Sequence, residues 1–312
     1  MRININVQDI CNFTCSYCIN GATKNKKKSQ LDKSILEKFI EDIDARKCSE
    51  YLFAVAGGEP LLYPHVESLV ENIDTNIHAP KKTIAFATNA SLLPQKGELL
   101  YRAAKNTRLK FSVSVHVEQI DIHSFAKMIR DFGHSDDIRC KILVAPGTLE
   151  ESKKLLTIFS DYGINAIVSV VTHPGGTPFP YSHEEIEFLQ QHETANPIEF
   201  FHEYNDGSVE HFSRITRGLH PEKLNYQGMF CAAGLHSLRL APNGTVSRCF
   251  GFLRRGETFD LNVLRLRDIP ELNAACICPS DFCTCLSFLQ IPKWRSSKDM
   301  PEYMDTCSGD CG

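Results

Sequence analysis

The alternation of short strand-like runs with amphipathic helical segments over residues 1–195 constrains the fold more than any other feature of this chain. Six runs are rich in apolar and β-branched residues, and most are followed by a segment with apolar residues three and four positions apart. Repeated strand–helix units predict a parallel sheet with right-handed crossovers. Six units are too few for a closed eight-stranded barrel, so we expect an α/β fold, an open, partial (β/α)6 barrel whose functional face lies at the carboxyl ends of the strands. The predicted strands are residues 3–7, 51–56, 83–88, 110–115, 138–145 and 166–171.

The pattern changes near residue 196, and we predict a boundary there between a core of residues 1–195 and a smaller unit of residues 196–312. Residues 198–230 are polar and irregular, without strand or helix periodicity. Residues 236–248 then predict a β-hairpin, because Asn243 and Gly244 can supply the two positive φ angles of a tight turn.

Composition and charge exclude several classes of function. The formal net charge of the 312 residues is −4, which argues against nucleic acid as a partner. No run approaches the roughly 18 consecutive apolar residues of a membrane span, and the N-terminus lacks the apolar stretch of an export signal. We therefore expect a cytoplasmic protein without a membrane partner.

Thirteen cysteines are unusual in such a protein. In a reducing compartment they favour iron–sulfur clusters over disulfides, because thiolates are soft ligands suited to iron. Three lie within the first twenty residues and eight lie after residue 230. Cys48 and Cys140 stand apart from both groups, and we expect them to be buried structural thiols.

Cys11, Cys15 and Cys18 form a CxxxCxxC motif directly after the first predicted strand. Three thiolates on one loop can hold three irons of a 4Fe–4S cube and leave the fourth iron open to another ligand. A zinc loop or a redox sensor is the alternative, although the spacing matches zinc ribbons poorly.

With this motif the chain resembles the radical S-adenosylmethionine (radical SAM) superfamily over roughly residues 1–195. In that family, SAM binds the open iron through its amino and carboxylate groups. The resemblance implies that Tyr17, the residue before the third cysteine, lies beside the adenine.

The second predicted strand ends in Gly57-Gly58-Glu59-Pro60, which matches the GGEP motif of the same family. Two glycines allow the backbone to approach a ligand closely. Glu59 offers a carboxylate to a positively charged amino group. The resemblance implies that all four residues bind SAM.

Polar residues at the next two strand ends extend this candidate site. Asn89 closes the third strand, where the family often has a Thr-Asn pair. Ser112, Ser114 and His116 alternate along the fourth strand, so they share one face, and Ser114 and His116 could reach the SAM ribose. Polar residues at a solvated barrel mouth are the alternative interpretation.

The C-terminal cysteines form a second pattern. Cys231, Gly244 and Cys249 give C-x12-G-x4-C around the predicted hairpin, which resembles the opening of the auxiliary-cluster modules called SPASM and Twitch. The later cysteines depart from the SPASM spacing, so the sequence does not decide between one auxiliary 4Fe–4S cluster and two. The expected ligands of the first are Cys231 and Cys249 with two of Cys278, Cys283 and Cys285, whereas Cys307 and Cys311 are expected to be bystanders.

The resemblance implies reductive cleavage of SAM to a 5′-deoxyadenosyl radical, which abstracts a hydrogen atom from the substrate. An auxiliary cluster could then accept an electron, giving dehydrogenation, or a spare C-terminal cysteine could return a hydrogen atom, giving epimerisation. We therefore expect an oxidoreductase or an epimerase that takes electrons from a flavodoxin- or ferredoxin-type donor.

The position of the first cysteine motif bears on the class of substrate. CxxxCxxC begins at residue 11, so the N-terminal leader-binding domain of many peptide-modifying relatives is not expected. This favours a small polar substrate, such as a sugar or aminocyclitol, over a ribosomally made peptide, which stays the alternative. A non-catalytic iron–sulfur redox protein is the remote alternative, which the open iron and the GGEP carboxylate argue against.

Overall fold

The fold is built on one extended sheet covered by helices. The computed structural model describes residues 1–18, 28–173, 177–192, 200–203, 209–212, 214–220, 225–279, 281, 283, 291–296, 298 and 300. Its first six strands and helices are β1 (Arg2–Gln8), α1 (Lys33–Asp44), β2 (Glu50–Gly57), α2 (Val66–Asn76), β3 (Lys81–Thr88), α3 (Leu93–Ala103), β4 (Arg108–Val115), α4 (Ile122–Asp131), β5 (Ile138–Val144), α5 (Leu149–Asp161), β6 (Ala166–Val170) and α6 (His183–Gln191).

These six strands pair in parallel and in chain order, which confirms the predicted α/β fold of strand–helix units. Alternate residues of each strand are buried under the helices, as in β4, where Phe111 and Val113 are fully covered and Ser112 and Ser114 are not. The apolar stripes of the helices form one core with these outward faces. Cys48 and Cys140 are buried, as predicted.

The opposite side of the sheet, which we term the open face, is only partly covered. On β2 and β3 its inward positions carry alanines, whose small side chains leave room above the strands. On β1 and β4 they carry amides and hydroxyls, and on β5 they carry cations. The open face is defined by Asn4, Asn6, Ala54, Ala56, Ala85, Ala87, Ser112, Ser114, Arg139 and Lys141.

The remaining elements are β7 (Phe200–Glu203), β8 (Val209–Phe212), α7 (Arg214–Leu219), β9 (Phe230–Cys231), β10 (Ser237–Leu240), β11 (Thr245–Ser247), α8 (Phe250–Arg254), β12 (Phe259–Asp260), β13 (Cys276–Ile277) and β14 (Lys293–Trp294). The prediction that residues 198–230 lack regular structure is wrong, because β7 and β8 form an antiparallel pair that α7 follows. Strands of four residues such as these are too short for a periodicity to show.

The predicted hairpin is present as β10 and β11, and it joins the core sheet. β10 pairs in parallel with β1, with Ser237 opposite Arg2 and Leu240 opposite Ile5. Within the described residues, one nine-stranded sheet runs in the order β12-β11-β10-β1-β2-β3-β4-β5-β6. The predicted boundary between residues 195 and 196 therefore does not separate two independent sheets.

A small antiparallel sheet, in the order β13-β9-β14, lies in the C-terminal part and carries several of the cysteines. No helix in the described part of the chain is long and apolar enough to cross a lipid bilayer.

Candidate functional site

The loop that carries the three N-terminal cysteines follows β1 and is held by the end of β2. The backbone N–H of Gly58 donates to the Gln8 carbonyl at 2.7 Å, and that of Glu59 donates to the Ile10 carbonyl at 2.8 Å. The Gln8 side-chain amide donates in return to the Glu59 carbonyl at 2.7 Å. The end of β2 is thus hydrogen-bonded to the chain that leads into Cys11.

The two glycines at this point are required by the loop itself. A Cβ on Gly57, whose φ is +143°, would lie 2.3 Å from the Gln8 carbonyl oxygen, and one on Gly58 would lie 2.2 Å from that of Ile10. Real Cβ atoms do not approach backbone so closely. The glycines therefore allow close approach, as predicted, but the partner they approach is the chain's own cysteine loop.

Glu59 lies at the end of β2 and is buried. Its side chain is 0% exposed, and its carboxylate accepts hydrogen bonds from Leu61 N (3.0 Å), Thr88 Oγ1 (2.6 Å) and Asn89 N (2.7 Å). Burial raises the pKa of this carboxyl, and the three donors oppose that rise. Glu59 thus ties β2 to β3 and caps the 3₁₀ turn that begins at the buried Pro60. That its carboxylate meets the amino group of SAM stays a prediction.

The end of β3 positions the first cysteine. The Asn89 side-chain amide donates to Asn12 Oδ1 at 3.0 Å and lies 3.9 Å from the Cys11 sulfur. Asn12 in turn donates to Ser91 Oγ at 2.8 Å. Asn89 therefore lies at the cysteine loop, as expected, in a role that orients the loop.

The end of β4 holds the other half of the loop through a 3₁₀ turn at Val117–Gln119. Glu118 Oε1 accepts from Ser16 N at 2.8 Å, and Gln119 Oε1 accepts from Thr14 N at 3.3 Å. Sequence reasoning missed both contacts. Two acceptor side chains placed directly after a strand end were the available signal.

Cys11, Cys15 and Cys18 face one another closely enough for their charges to interact. Burial, together with the nearby charges of Glu118, Cys18 and Cys11, raises the pKa of the Cys15 thiol to about 12. Burial is also the main cause of the raised pKa of Cys11. Three thiolates here would repel one another unless a cation lay between them, so the donor set fits iron.

The described residues include no group of three His, Cys, Asp or Glu side chains arranged around a single metal ion. A 4Fe–4S cube binds one thiolate at each iron, so its ligands do not converge on one point. Three thiolates on one loop suit such a cube and leave its fourth iron open.

An aromatic and apolar wall stands beside the cysteines. The Tyr17 ring stacks on His116 with centroids 5.7 Å apart, and Phe13 meets the same imidazole edge-on at 6.0 Å. Burial lowers the pKa of His116 to about 4, so the ring is neutral at pH 7. Tyr17 and Cys15 pack with Ala145 and Val171. The predicted residues Tyr17 and His116 are thus brought together.

Ser114 lies on β4, two residues before His116. It belongs to the open face and is paired with Lys141 of β5. The predicted set Tyr17, Ser114 and His116 therefore follows one edge of the sheet, beside the cysteine loop. This arrangement can hold a flat, mostly apolar ring at the aromatic wall and a polar group above the serine.

The C-terminal cysteines form a second group. Cys231 and Cys278 are buried in one apolar cluster, and Cys249 and Cys283 pack against it. Burial raises the pKa of Cys249 well above its usual value, and the charges of Cys231 and Cys283 add to this. Four of the five predicted ligands are thus near one another, whereas Cys285 lies outside the described residues, as do Cys307 and Cys311.

Cys276 also belongs to this group, although sequence reasoning did not select it. It lies directly opposite Cys231 in the pairing of β13 with β9. The signal was its spacing from Cys278, because residues two apart on a strand share one face.

Three cysteines on one loop at the carboxyl edge of a parallel sheet fit an enzyme that holds an iron–sulfur cluster. Residues 5–190 match the Radical SAM superfamily. The chain therefore belongs to the radical SAM superfamily, whose members use a 4Fe–4S cluster and SAM.

Curated relatives share part of this core. The GTP 3′,8-cyclase of Microcystis aeruginosa is 25% identical over 172 residues, which is 47% of this chain and 49% of the relative. The GTP 3′,8-cyclase of Staphylococcus epidermidis is 33% identical over 105 residues, 32% of this chain and 30% of the relative. The chain thus spans half or less of the curated relatives it matches.

Two solved structures resemble the chain at low identity. BtrN in complex with AdoMet and 2-DOIA has a TM-score of 0.47 and 14% identity, covering 86% of this chain and 80% of that one. Native anSMEcpe with bound AdoMet has a TM-score of 0.39 and 14% identity, covering 87% and 80%.

Proposed function

We propose that Cys11, Cys15 and Cys18 hold the 4Fe–4S cluster of the family and that SAM binds at its open iron. The observation that carries this proposal is the cysteine loop, which hydrogen bonds from the ends of β2, β3 and β4 hold in place. When bound, the cluster and SAM supply a one-electron cleavage that generates a radical able to abstract hydrogen.

The chain's own residues bind and orient in this scheme. Tyr17 and the neutral His116 offer stacking surfaces for the adenine, and Ser114 offers a hydroxyl to the ribose. The backbone N–H groups of Gly58 and Glu59 and the side chain of Asn89 hold the cysteine loop. Gly57, Gly58, Glu59 and Asn89 stay proposed contacts of SAM. Pro60 fixes the start of the turn after Glu59.

We propose further that the substrate is a small polar molecule that lies against the open face and carries a negative charge. The alanines of β2 and β3 leave room for it, and the hydroxyl of Ser112 and the amide of Asn6 can bind its polar groups. Within strands β1 to β5, as far as the structure describes them, the one carboxylate at an inward position is Glu50, at the end of β2 opposite to the cysteine loop. Arg139 and Lys141 on β5 therefore favour a phosphorylated or carboxylated sugar over a free, positively charged aminocyclitol. A nucleotide, which the names of the curated relatives indicate for those proteins, belongs to the same anionic class.

Cys231, Cys249, Cys278 and Cys283 support an auxiliary 4Fe–4S cluster near the end of the chain. Such a cluster could accept the electron of a substrate radical, so we propose an oxidoreductase, with epimerisation as the other outcome. A two-electron loss of mass in the product identifies dehydrogenation, whereas deuterium uptake from solvent identifies epimerisation. The electron donor would be a flavodoxin- or ferredoxin-type protein.

The first test is anaerobic reconstitution with iron and sulfide counting for the wild type and a Cys11/Cys15/Cys18→Ala variant. We expect the variant to lose about four irons and to lose the change that SAM produces in the paramagnetic resonance spectrum. Cys140→Ala, which removes a buried thiol far from the loop, is the control and should keep its iron. A triple variant that retains all its iron would refute the cluster assignment.

The substrate class is tested by the formation of 5′-deoxyadenosine in the presence of paired phosphorylated and unphosphorylated sugars. We expect the phosphorylated members to stimulate it, and Lys141→Met to weaken that stimulation. Lys154→Met, an exposed lysine on the outer helix α5, is the matched control. Equal stimulation by charged and neutral sugars would contradict an anionic substrate.

A further inference from the structure

Arg248 is a buried cation at the end of β11, next to Cys249. Its side chain is only 9% exposed. Nη1 donates to the Ala233 carbonyl at 3.0 Å and to the Ala274 carbonyl at 2.5 Å, and the guanidinium lies 5.7 Å from the centre of the Phe252 ring. All of these partners are neutral.

The surrounding backbone is shaped to admit this guanidinium. Gly234 has a φ of +102°, and a Cβ there would lie 2.8 Å from Nη1 of Arg248. Two main-chain carbonyls point at the same nitrogen. The C-terminal part of the chain therefore contains a site built for a positive charge.

A buried guanidinium needs an anion, because removing a charge from water without one costs several kcal/mol. No aspartate or glutamate of the described chain forms an ion pair with Arg248; the recorded ion pairs of arginines involve other residues. The ionisable group that it faces is Cys276.

Cys276 and Arg248 meet at one carbonyl. The Cys276 sulfur lies 3.7 Å from the Ala233 oxygen that accepts from Arg248, and 3.6 Å from the Cys231 oxygen. Cys276 also lies directly opposite Cys231 in the antiparallel pairing of β13 with β9. The thiol is thus placed between the guanidinium and the second cysteine group.

We propose that Cys276 holds one of the four ligand positions of the auxiliary cluster, together with Cys231, Cys249 and one of Cys278 and Cys283, and that Arg248 is the buried counter-charge of that cluster. The inference rests on the auxiliary cluster of the proposed function; it replaces one of the four ligands named there and adds a positioning residue. A cation beside an iron–sulfur cluster favours its more negative, reduced state and so raises the reduction potential. A raised potential suits a cluster that takes an electron from a substrate radical, which favours dehydrogenation over epimerisation.

The test uses the full-length Cys11/Cys15/Cys18→Ala variant, in which any iron that remains belongs to the auxiliary site. If this variant binds no iron, the auxiliary cluster itself fails and the proposed function must be revised. If it binds about four irons, Cys276→Ser added to it should abolish that iron. Full retention of iron and of the spectrum by Cys276→Ser would overturn the ligand assignment.

The counter-charge is tested by redox titration of the same variant, monitored by paramagnetic resonance. Arg248→Gln keeps a hydrogen-bond donor but removes the charge, and it should make one-electron reduction about tenfold less favourable, a fall of about 59 mV in the midpoint potential. Arg248→Lys should stay near the parent value. Arg255→Gln, which removes an exposed cation after the same short helix α8, should have no effect.

Two results would overturn the role of Arg248. One is an unchanged midpoint potential in Arg248→Gln with full iron content. The other is loss of iron in both Arg248→Gln and Arg248→Lys, which would show that the guanidinium matters only for its bonds to carbonyls. Loss of iron in Arg248→Gln but not in Arg248→Lys would support the role of Arg248 as a counter-charge, because lysine keeps the positive charge that glutamine lacks.

Discussion

Replacing Gly58 with alanine should prevent the N-terminal loop from holding iron. The new Cβ would lie 2.2 Å from the Ile10 oxygen, 2.5 Å from its carbonyl carbon and 3.0 Å from Cys11 N. Ordinary contacts begin near 3.4 Å, so the backbone of Ile10 would have to move by roughly 1 Å. That movement carries Cys11 with it.

The size of the effect follows from what the movement breaks. Crowding of this kind costs about 1–3 kcal/mol. The hydrogen bonds from Gly58 N to Gln8 and from Glu59 N to Ile10 would weaken, at about 1 kcal/mol each. A total near 3 kcal/mol would lower the population of the ordered loop about a hundredfold.

The assay is iron and sulfide content after anaerobic reconstitution, with the spectral change on adding SAM as a second readout. Gly133→Ala is the matched control, because the nearest atom to a Cβ there is Glu98 Oε1 at 3.8 Å. We expect Gly133→Ala to match the wild type. A Gly58→Ala protein with full iron and a normal response to SAM would refute the argument that the glycine serves the loop.

Three further predictions concern the same site. Glu59→Gln should lower the free energy of unfolding by about 2 kcal/mol, because an amide cannot accept from all three buried donors; unchanged denaturant unfolding would contradict this. Burial lowers the pKa of His116 from the ordinary histidine value of 6.5 to about 4 in the folded chain, so the unfolded state takes up the proton first as the pH falls. The wild type should therefore lose about 1 kcal/mol of stability between pH 6.5 and 5.5, and thermal unfolding should show that His116→Phe lacks this loss. Glu118→Gln should keep the hydrogen bond to Ser16 N and release iron to a chelator at the wild-type rate, whereas Glu118→Ala should release iron faster. Equal rates in the wild type and both variants would show that this hydrogen bond does not hold the loop.

The six core strands could be predicted within about two residues, because strand alternation and helix periodicity are local properties. The run 110–115 shows this, since its apolar residues face the helices and its serines face the open side, as the sequence alone indicates. The cysteine loop and the aromatic wall of Tyr17 and His116 also follow from strand order, which places successive strand ends at one edge.

Other features depend on contacts between distant residues and were not predictable. The sequence contains no sign that Gly57 and Gly58 pack against residues 8–10, because a glycine pair looks the same beside a ligand or beside the chain. The buried contacts of the Glu59 carboxylate with Thr88 and Asn89 were not predictable for a similar reason, since both residues lie about thirty positions further along the chain. The place of Cys276 in the second cysteine group depends on the pairing of β13 with β9. Each of these strands has two residues, which is too short for a periodicity to predict it.

The pairing of β10 with β1 has a consequence for synthesis on the ribosome. β1 is made first, but its second neighbour begins at Ser237, so one edge of the strand stays open while more than two hundred residues are added. At about 5–20 residues per second, this delay lasts roughly 10 to 50 s. An open edge invites pairing with other chains, and contacts this remote in sequence slow folding. We therefore expect the nascent chain to need protection of the open edge of β1 during this interval. Iron supplied before the end of translation would meet a cysteine loop that follows a strand paired with β2 alone.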